Sequence, residues 1–136
     1  MKSTNYYNTF IEVSDDCPVH NAEMPGWFRG NKTVALMQFE MIATHPYRYT
    51  SDEVLFAIYA HKHDFSQNNE AGKEAFFSKG QACFRASPLG KHYGWGVHYD
   101  TEGRMALYGM ETSAYQNYKN DPALEHTKAV RNKRVK

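Results

Sequence analysis

Apolar and polar residues alternate along residues 9–13 (TFIEV), the two-residue period of a strand with one buried face. The following SDDCP ends it, because Pro18 cannot donate to a ladder and Ser and Asp favour turns. Residues 18–30 read as a loop broken by Pro25-Gly26 and Gly30, with Trp27 and Phe28 expected to tuck it onto the core. The period then becomes helical. Val34, Met37, Phe39, Met41 and Ile42 form one broad apolar stripe behind Asn31, the expected N-cap. Pro46 stops this helix near Thr44 or His45, since proline drives its predecessor out of the helical region.

A second helix is signalled more sharply. Thr50-Ser51-Asp52-Glu53 fits a capping box, and Tyr49 and Val54 occupy the hydrophobic-staple positions around it. HKHDFSQNN is polar and irregular; EAGKEAFFSKG reads as a short helix capped by Gly80. Residues 81–86 are expected to be a strand, ended by Ser87-Pro88-Leu89-Gly90. Residues 94–99 and 104–109 pair as a hairpin around Asp100-Thr101-Glu102-Gly103, with Gly103 in the left-handed bulge of a type I turn. Trp95, Val97 and Tyr99 share one face of its first strand; Gly94, Gly96 and His98 share the other, where missing side chains admit an aromatic, a helix or a ligand. Residues 113–118 read as a helix with Ser113 and Gln116 in a capping box, and Asp121-Pro122 as the start of another.

The expected fold is α+β: a single domain, with an antiparallel sheet of about four strands and helices packed mainly on one face. The domain spans residues 1–127, followed by a basic C-terminal tail, residues 128–136. The 136 residues suffice for one buried core, and ten Tyr predict half-buried rings with their hydroxyls at polar rims. Two cysteines, Cys17 and Cys83, exclude a disulfide scaffold. The N-terminus shows no secretory h-region, and no apolar run has bilayer length, so a cytoplasmic protein without a membrane partner is expected.

Charge is unevenly spread. The tail carries Lys128, Arg131, Lys133, Arg134 and Lys136 and no acid, leaving 11 basic against 15 acidic residues in the rest. The tail reads as a nucleic-acid arm or, more simply, as a solvated helix end whose cations suit the helix dipole.

TNYYNTFIEVSDDCP, HPYRYTSDEVLF, FFSKGQACFRASPLGKHYGWGVHYDTEGRMALYG, SAYQNY and HTKAVRNKR together resemble a family of small bacterial proteins known only as a domain of unknown function. The resemblance runs nearly the full length. It implies a bacterial cytoplasmic source and one self-contained domain, and brings no activity, cofactor or catalytic residue.

Several constellations suggest chemistry. His61, His63 and Asp64 are metal-ligating types but lack a third ligand at familiar spacing, and a solvated loop explains them more simply. Cys83 with His92 or His98 has the elements of a nucleophile and base, although a thiol inside a strand is inert unless its pKa is lowered. Ser78-Lys79-Gly80-Gln81 lacks the glycine framework of a phosphate loop. No nucleophile elbow accompanies Ser78, Ser87, His98 and Asp100, and Asp15-Asp16 reads as a turn cap. No cofactor motif is present.

The candidate ligand site is an anion-binding patch on the 81–98 sheet face: Arg48, Ser78, Lys79, Gln81, Arg85, Ser87, Lys91, Trp95 and His98, with Tyr47, Tyr49 and Tyr93 able to stack on a planar ligand. The same cations serve equally as structural partners of Asp52, Glu53 or Glu12. The leading functional expectation is a domain binding an anionic small molecule, aromatic or not, on the 81–98 sheet face. The alternatives are a nucleic-acid-associated module using the tail and an enzyme using Cys83 or His98; a homodimer is a further expected partner state.

Overall fold

The computed structural model describes residues 2–64 and 66–133, and the fold is α+β. Its strands are β1 Thr9–Glu12, β2 Trp27–Phe28, β3 Asn31–Lys32, β4 Trp95–Tyr99, β5 Met105–Gly109 and β6 Glu125–Lys128. Its helices are α1 Val34–Thr44, α2 Ser51–Lys62, α3 Glu70–Ser78, α4 Pro88–Lys91 and α5 Ser113–Lys119, with a 3-10 turn at Phe84–Ala86.

The main sheet has the order β5-β4-β1-β6. β4 pairs antiparallel with β5 and β1, whereas β6 pairs parallel with β1, Phe10 opposite His126. The sheet is therefore mixed, not antiparallel as expected. The fourth strand also comes from another segment. Residues 81–86 are not a strand: bonds from Ala86 N to the Cys83 carbonyl (3.0 Å) and from Ser87 N to the Phe84 carbonyl (3.1 Å) close a tight turn that buries Phe84. Nor does Asp121-Pro122 start a helix. The Asp121 carboxylate accepts from Ala123 N at 2.8 Å, which makes a turn, and the chain emerges into β6.

The helix signals fared better. Thr50 and Glu53 form both bonds of the capping box, at 3.3 Å and 2.9 Å. α1 ends at Thr44, before Pro46. Its cap is Thr33, whose hydroxyl accepts from Leu36 N at 3.2 Å; Asn31 is taken up in β3 instead. α5 is capped by Thr112, one residue before Ser113. Gly80 and Gly103 adopt φ +69° and +81°, the left-handed conformations that end α3 and close the β4–β5 hairpin.

Register divides the sheet into two faces. Ile11, Val97, Tyr99 and Met105 pack with Ile42 of α1, Val54 and Ile58 of α2, Phe84 and Leu89 in the main core. Phe56, Ala60 and Phe77 make a smaller cluster between α2 and α3. On the opposite face, Phe10 lies 5.1 Å edge-on to Tyr115 and 5.7 Å in a stack with Tyr118, both on α5. α5 thus covers the face away from α1 and α2. Buried Asp52 ties down the N-terminus, accepting from Thr4 N (2.8 Å), Thr4 Oγ1 (2.7 Å) and Ser3 Oγ (2.8 Å). Among the described residues, no helix is long and apolar enough to cross a membrane.

Candidate functional site

The nine residues expected to line one ligand patch occupy separate environments. Arg85 is on the 3-10 turn, and its Nε donates to the Lys128 carbonyl at 2.8 Å. Because residues 81–86 are not a strand, Arg85 and His98 are not cross-strand neighbours. Ser87 is buried, donating to Gln38 Oε1 at 2.6 Å and capping α4. Gln81 donates to the Phe76 carbonyl (2.8 Å) and Ser78 to the Ala75 carbonyl (2.7 Å), beside Lys79, the C-cap of α3. Lys91 ends α4 and its carbonyl accepts from Asn132 Nδ2 at 2.9 Å. Trp95 donates to the Glu23 carbonyl at 2.8 Å and packs on Phe39. Arg48 is exposed, its guanidinium 5.9 Å from the Tyr49 ring centroid.

The reactive pairings also separate. Cys83 Sγ lies 3.1 Å from Tyr6 Oη, whose pKa burial and this contact push up to about 12. His98 is engaged by Tyr47. The His63 ring lies tilted against Tyr59 at 4.2 Å, and no group of three or more His, Cys, Asp or Glu able to hold a metal occurs among the described residues. The tail, as far as Lys133, is anchored. Lys128 and Arg131 pair with Asp15 at 2.9 and 3.7 Å. Asp16 accepts from Ser14 Oγ and from the backbone N–H groups of Asn132 and Lys133, which holds its carboxyl well below the usual range. Arg134 and Lys136 lie outside the described residues.

Two arrangements stand out that sequence reasoning did not assemble. The first is an open cleft of about 610 Å³ lined by Trp27, Asn31, Lys32, Met37, His61 and Lys62. One wall is the β2–β3 hairpin, whose turn residues Arg29 and Gly30 both take positive φ, +50° and +78°. That turn matches the twist of the paired strands and points the rings outward. Trp27 and Phe28 are therefore 62% and 63% exposed, not tucked onto the core as expected. Cations attend both rings: Lys32 Nζ is 5.7 Å from the Trp27 centroid and the Arg29 guanidinium 5.1 Å from that of Phe28. Lys32 also pairs with Glu40 at 2.7 Å. An adjoining hollow of about 240 Å³ extends the cleft along Met41, Ala57 and Ile58. The signal in the sequence was Arg29-Gly30, a tight-turn dipeptide between two short segments.

The second is a hydrogen-bonded knot of three phenols and an imidazole on the α5 face. Tyr47 Oη lies 2.7 Å from His98 Nδ1, 2.8 Å from Tyr108 Oη and 3.4 Å from Tyr118 Oη. His98, 9% exposed, stacks on Tyr118 at 4.2 Å. Burial pushes the His98 pKa down against the opposing pull of Asp100 and Asp121, and burial pushes Tyr47 far up. With His98 neutral and Nδ1 accepting, Tyr47 donates to the ring and accepts from the other hydroxyls. Tyr47 itself holds φ +60°, kept there by its N–H on the Met105 carbonyl (2.8 Å) and the Tyr49 carbonyl on Met105 N (2.9 Å). Only its position after Pro46 hinted at this.

Fold and sites together describe a small α+β domain with an open aromatic and basic cleft and a separate phenol–imidazole knot. The chain belongs to a family of unknown function, DUF6157, whose model matches residues 1–135. No curated protein and no solved structure gives a significant match.

Proposed function

We propose that this protein is a binding domain for an anionic, aromatic small molecule, held in the cleft between the β2–β3 hairpin and the ends of α1 and α2. The observation that supports this is an exposed indole set beside ammonium groups in one open cleft: Trp27, Lys32 and Lys62 around about 610 Å³. A planar ring stacks on Trp27 and over Met37, while a carboxylate or phosphate meets Lys62, His61 and the outer side of Lys32. Nucleic-acid binding through the tail is the weaker reading, because Lys128 and Arg131 already pair with Asp15.

The test is a thermal-shift and tryptophan-fluorescence screen with aromatic carboxylates, nucleoside phosphates and their non-aromatic counterparts. An aromatic anion should stabilise the protein and alter Trp27 emission, and Trp27→Ala should weaken it about 5- to 150-fold, the cost of one stacked ring. Non-aromatic anions binding equally well, or full affinity in Trp27→Ala, would refute the assignment.

A further inference from the structure

From the Tyr47 knot we infer a second site: a binding site for a hard trivalent cation such as ferric iron, formed by Tyr47, Tyr108, Tyr118 and His98. Two donors each about 2.0–2.1 Å from one ion stand roughly 2.8–3.4 Å apart, from octahedral to tetrahedral geometry. The distances from Tyr47 Oη to the other three donor atoms are 2.7, 2.8 and 3.4 Å. Tyr47 thus stands at donor–donor distance from each of the other three, and the site we infer needs side-chain adjustments that bring those three to the same separation from one another.

Those donors come from four different parts of the fold: the segment after α1, β4, β5 and α5. Pairing with Met105 fixes the first of these despite the left-handed conformation of Tyr47, so the hub does not depend on a free loop. The rings of Tyr47, Tyr108 and Tyr118 are all half-buried, which leaves the knot reachable from solvent.

Charge selects the ion. Three phenolates neutralise a trivalent cation, and neutral His98 adds a nitrogen without charge, so the filled site carries no uncompensated buried charge. A divalent ion leaves one negative charge in excess and is a weaker acid for displacing phenol protons. Oxygen donors also favour hard cations over the soft ions that thiolates select. Binding breaks three O–H bonds and forms three metal–oxygen bonds and one metal–nitrogen bond. Three protons pass to the buffer, and no oxidation state changes.

The experiment is titration of the purified protein with ferric nitrilotriacetate, followed by visible absorbance and by proton release into a weakly buffered solution. The expected result is a one-to-one phenolate-to-iron charge-transfer band, net release of no more than two protons per ion because the freed nitrilotriacetate amine takes up one of the three phenol protons, and loss of colour on adding gallium(III), which competes without absorbing. Tyr47→Phe should abolish the band, and Tyr108→Phe should weaken it. Absence of a band at several equivalents of iron would overturn the inference, as would an undiminished band in the Tyr47→Phe/Tyr118→Phe protein. Should those variants fail to fold, as judged by circular dichroism, resonance Raman spectroscopy of the iron-loaded parent protein decides. Enhanced phenolate vibrations support the site, and their absence refutes it.

Discussion

Replacing Gly96 by alanine tests what sets the distance between the sheet and α5. A Cβ built at Gly96 falls 2.6 Å from Tyr115 Cε2, 2.7 Å from Phe10 Cζ and 2.9 Å from Tyr115 Cδ2. Carbon atoms pack comfortably at about 3.5–4.0 Å, so both rings must retreat by nearly 1 Å. Neither is free to do so. Phe10 is completely buried, and Tyr115 is 4% exposed with its hydroxyl accepting from Val13 N at 3.0 Å. Overpacking of this kind costs about 1–3 kcal/mol, and stretching the Tyr115 bond adds up to about 1 kcal/mol. Alanine returns about 0.4–1 kcal/mol by restricting the unfolded chain. The net loss is therefore roughly 1–3 kcal/mol, a fall of about 4–12 °C in Tm for a domain of this size. Differential scanning calorimetry reads it directly. Gly26→Ala serves as the control, since nothing lies within 4 Å of its Cβ position, and it should be neutral or slightly stabilising. Tyr115→Leu removes two of the three close contacts and leaves that with Phe10, so the double variant should be about 0.5–1 kcal/mol more stable than the sum of the single losses allows. A Gly96→Ala protein as stable as the parent would refute the claim that this glycine sets the spacing.

Three further outcomes are expected. The depressed pKa of His98 means that the unfolded state binds its proton first, so stability should fall as pH drops below about 6.5, by at most about 1.4 kcal/mol per pH unit from this group. Urea denaturation at pH 7.5 and 5.0 checks this, and the same pH dependence in His98→Gln would show that other groups are responsible. Thr50→Ala removes the capping box of α2 and should cost about 1 kcal/mol in the same assay; an unchanged midpoint would mean that tertiary packing alone holds the helix start. Asp52→Ala strands the buried Thr4 hydroxyl and should cost about 2–4 kcal/mol while speeding amide exchange in residues 3–5, whereas unchanged exchange there would show that Asp52 does not anchor the N-terminus.

What could be read from the sequence was what local chemistry decides. The capping box at Thr50, the stop before Pro46 and the Gly103 bulge each depend on residues within four positions of one another. The opposing faces of β4 were legible because alternation is a local property, and Gly96 does lie under an aromatic ring. The errors arose where distant partners decide. Residues 81–86 alternate well enough for a strand, but burial of Phe84 and the Ser87 cap bend them into a turn. Residues 125–128 carry little strand character, and they become one because β1 offers an open edge. The ligand patch was drawn from the same mistaken strand. Once residues 81–86 became a turn, Arg85 turned to Lys128 and His98 was left to the tyrosines. Both proposed sites depend on residues far apart in sequence, Trp27 with Lys62 and Tyr47 with Tyr118, which no short-range pattern joins.

The two sites should also be energetically independent, because α1 and α2 hold them at opposite ends. Tyr47 lies in the connection between these helices, three residues before the Thr50 cap, whereas the cleft uses Lys32 and Met37 near the start of α1 and His61 and Lys62 at the end of α2. At about 1.5 Å per residue, Ser51 and Lys62 are roughly 16 Å apart along the axis. That exceeds both a Debye length at physiological salt and the range at which mutational effects usually couple. What lies between them is the main core, with Ile42, Val54 and Ile58 packed against Val97 and Met105. A close-packed core resists graded deformation, and neither site rests on an element with a visible second arrangement. Losses from Trp27→Ala and Tyr47→Phe should therefore add in stability, and neither substitution should alter binding at the other site. A coupling free energy above about 0.5 kcal/mol in that double-mutant cycle would mean that the α1–α2 pair moves as a unit, and the sites would then have to be treated as one linked system.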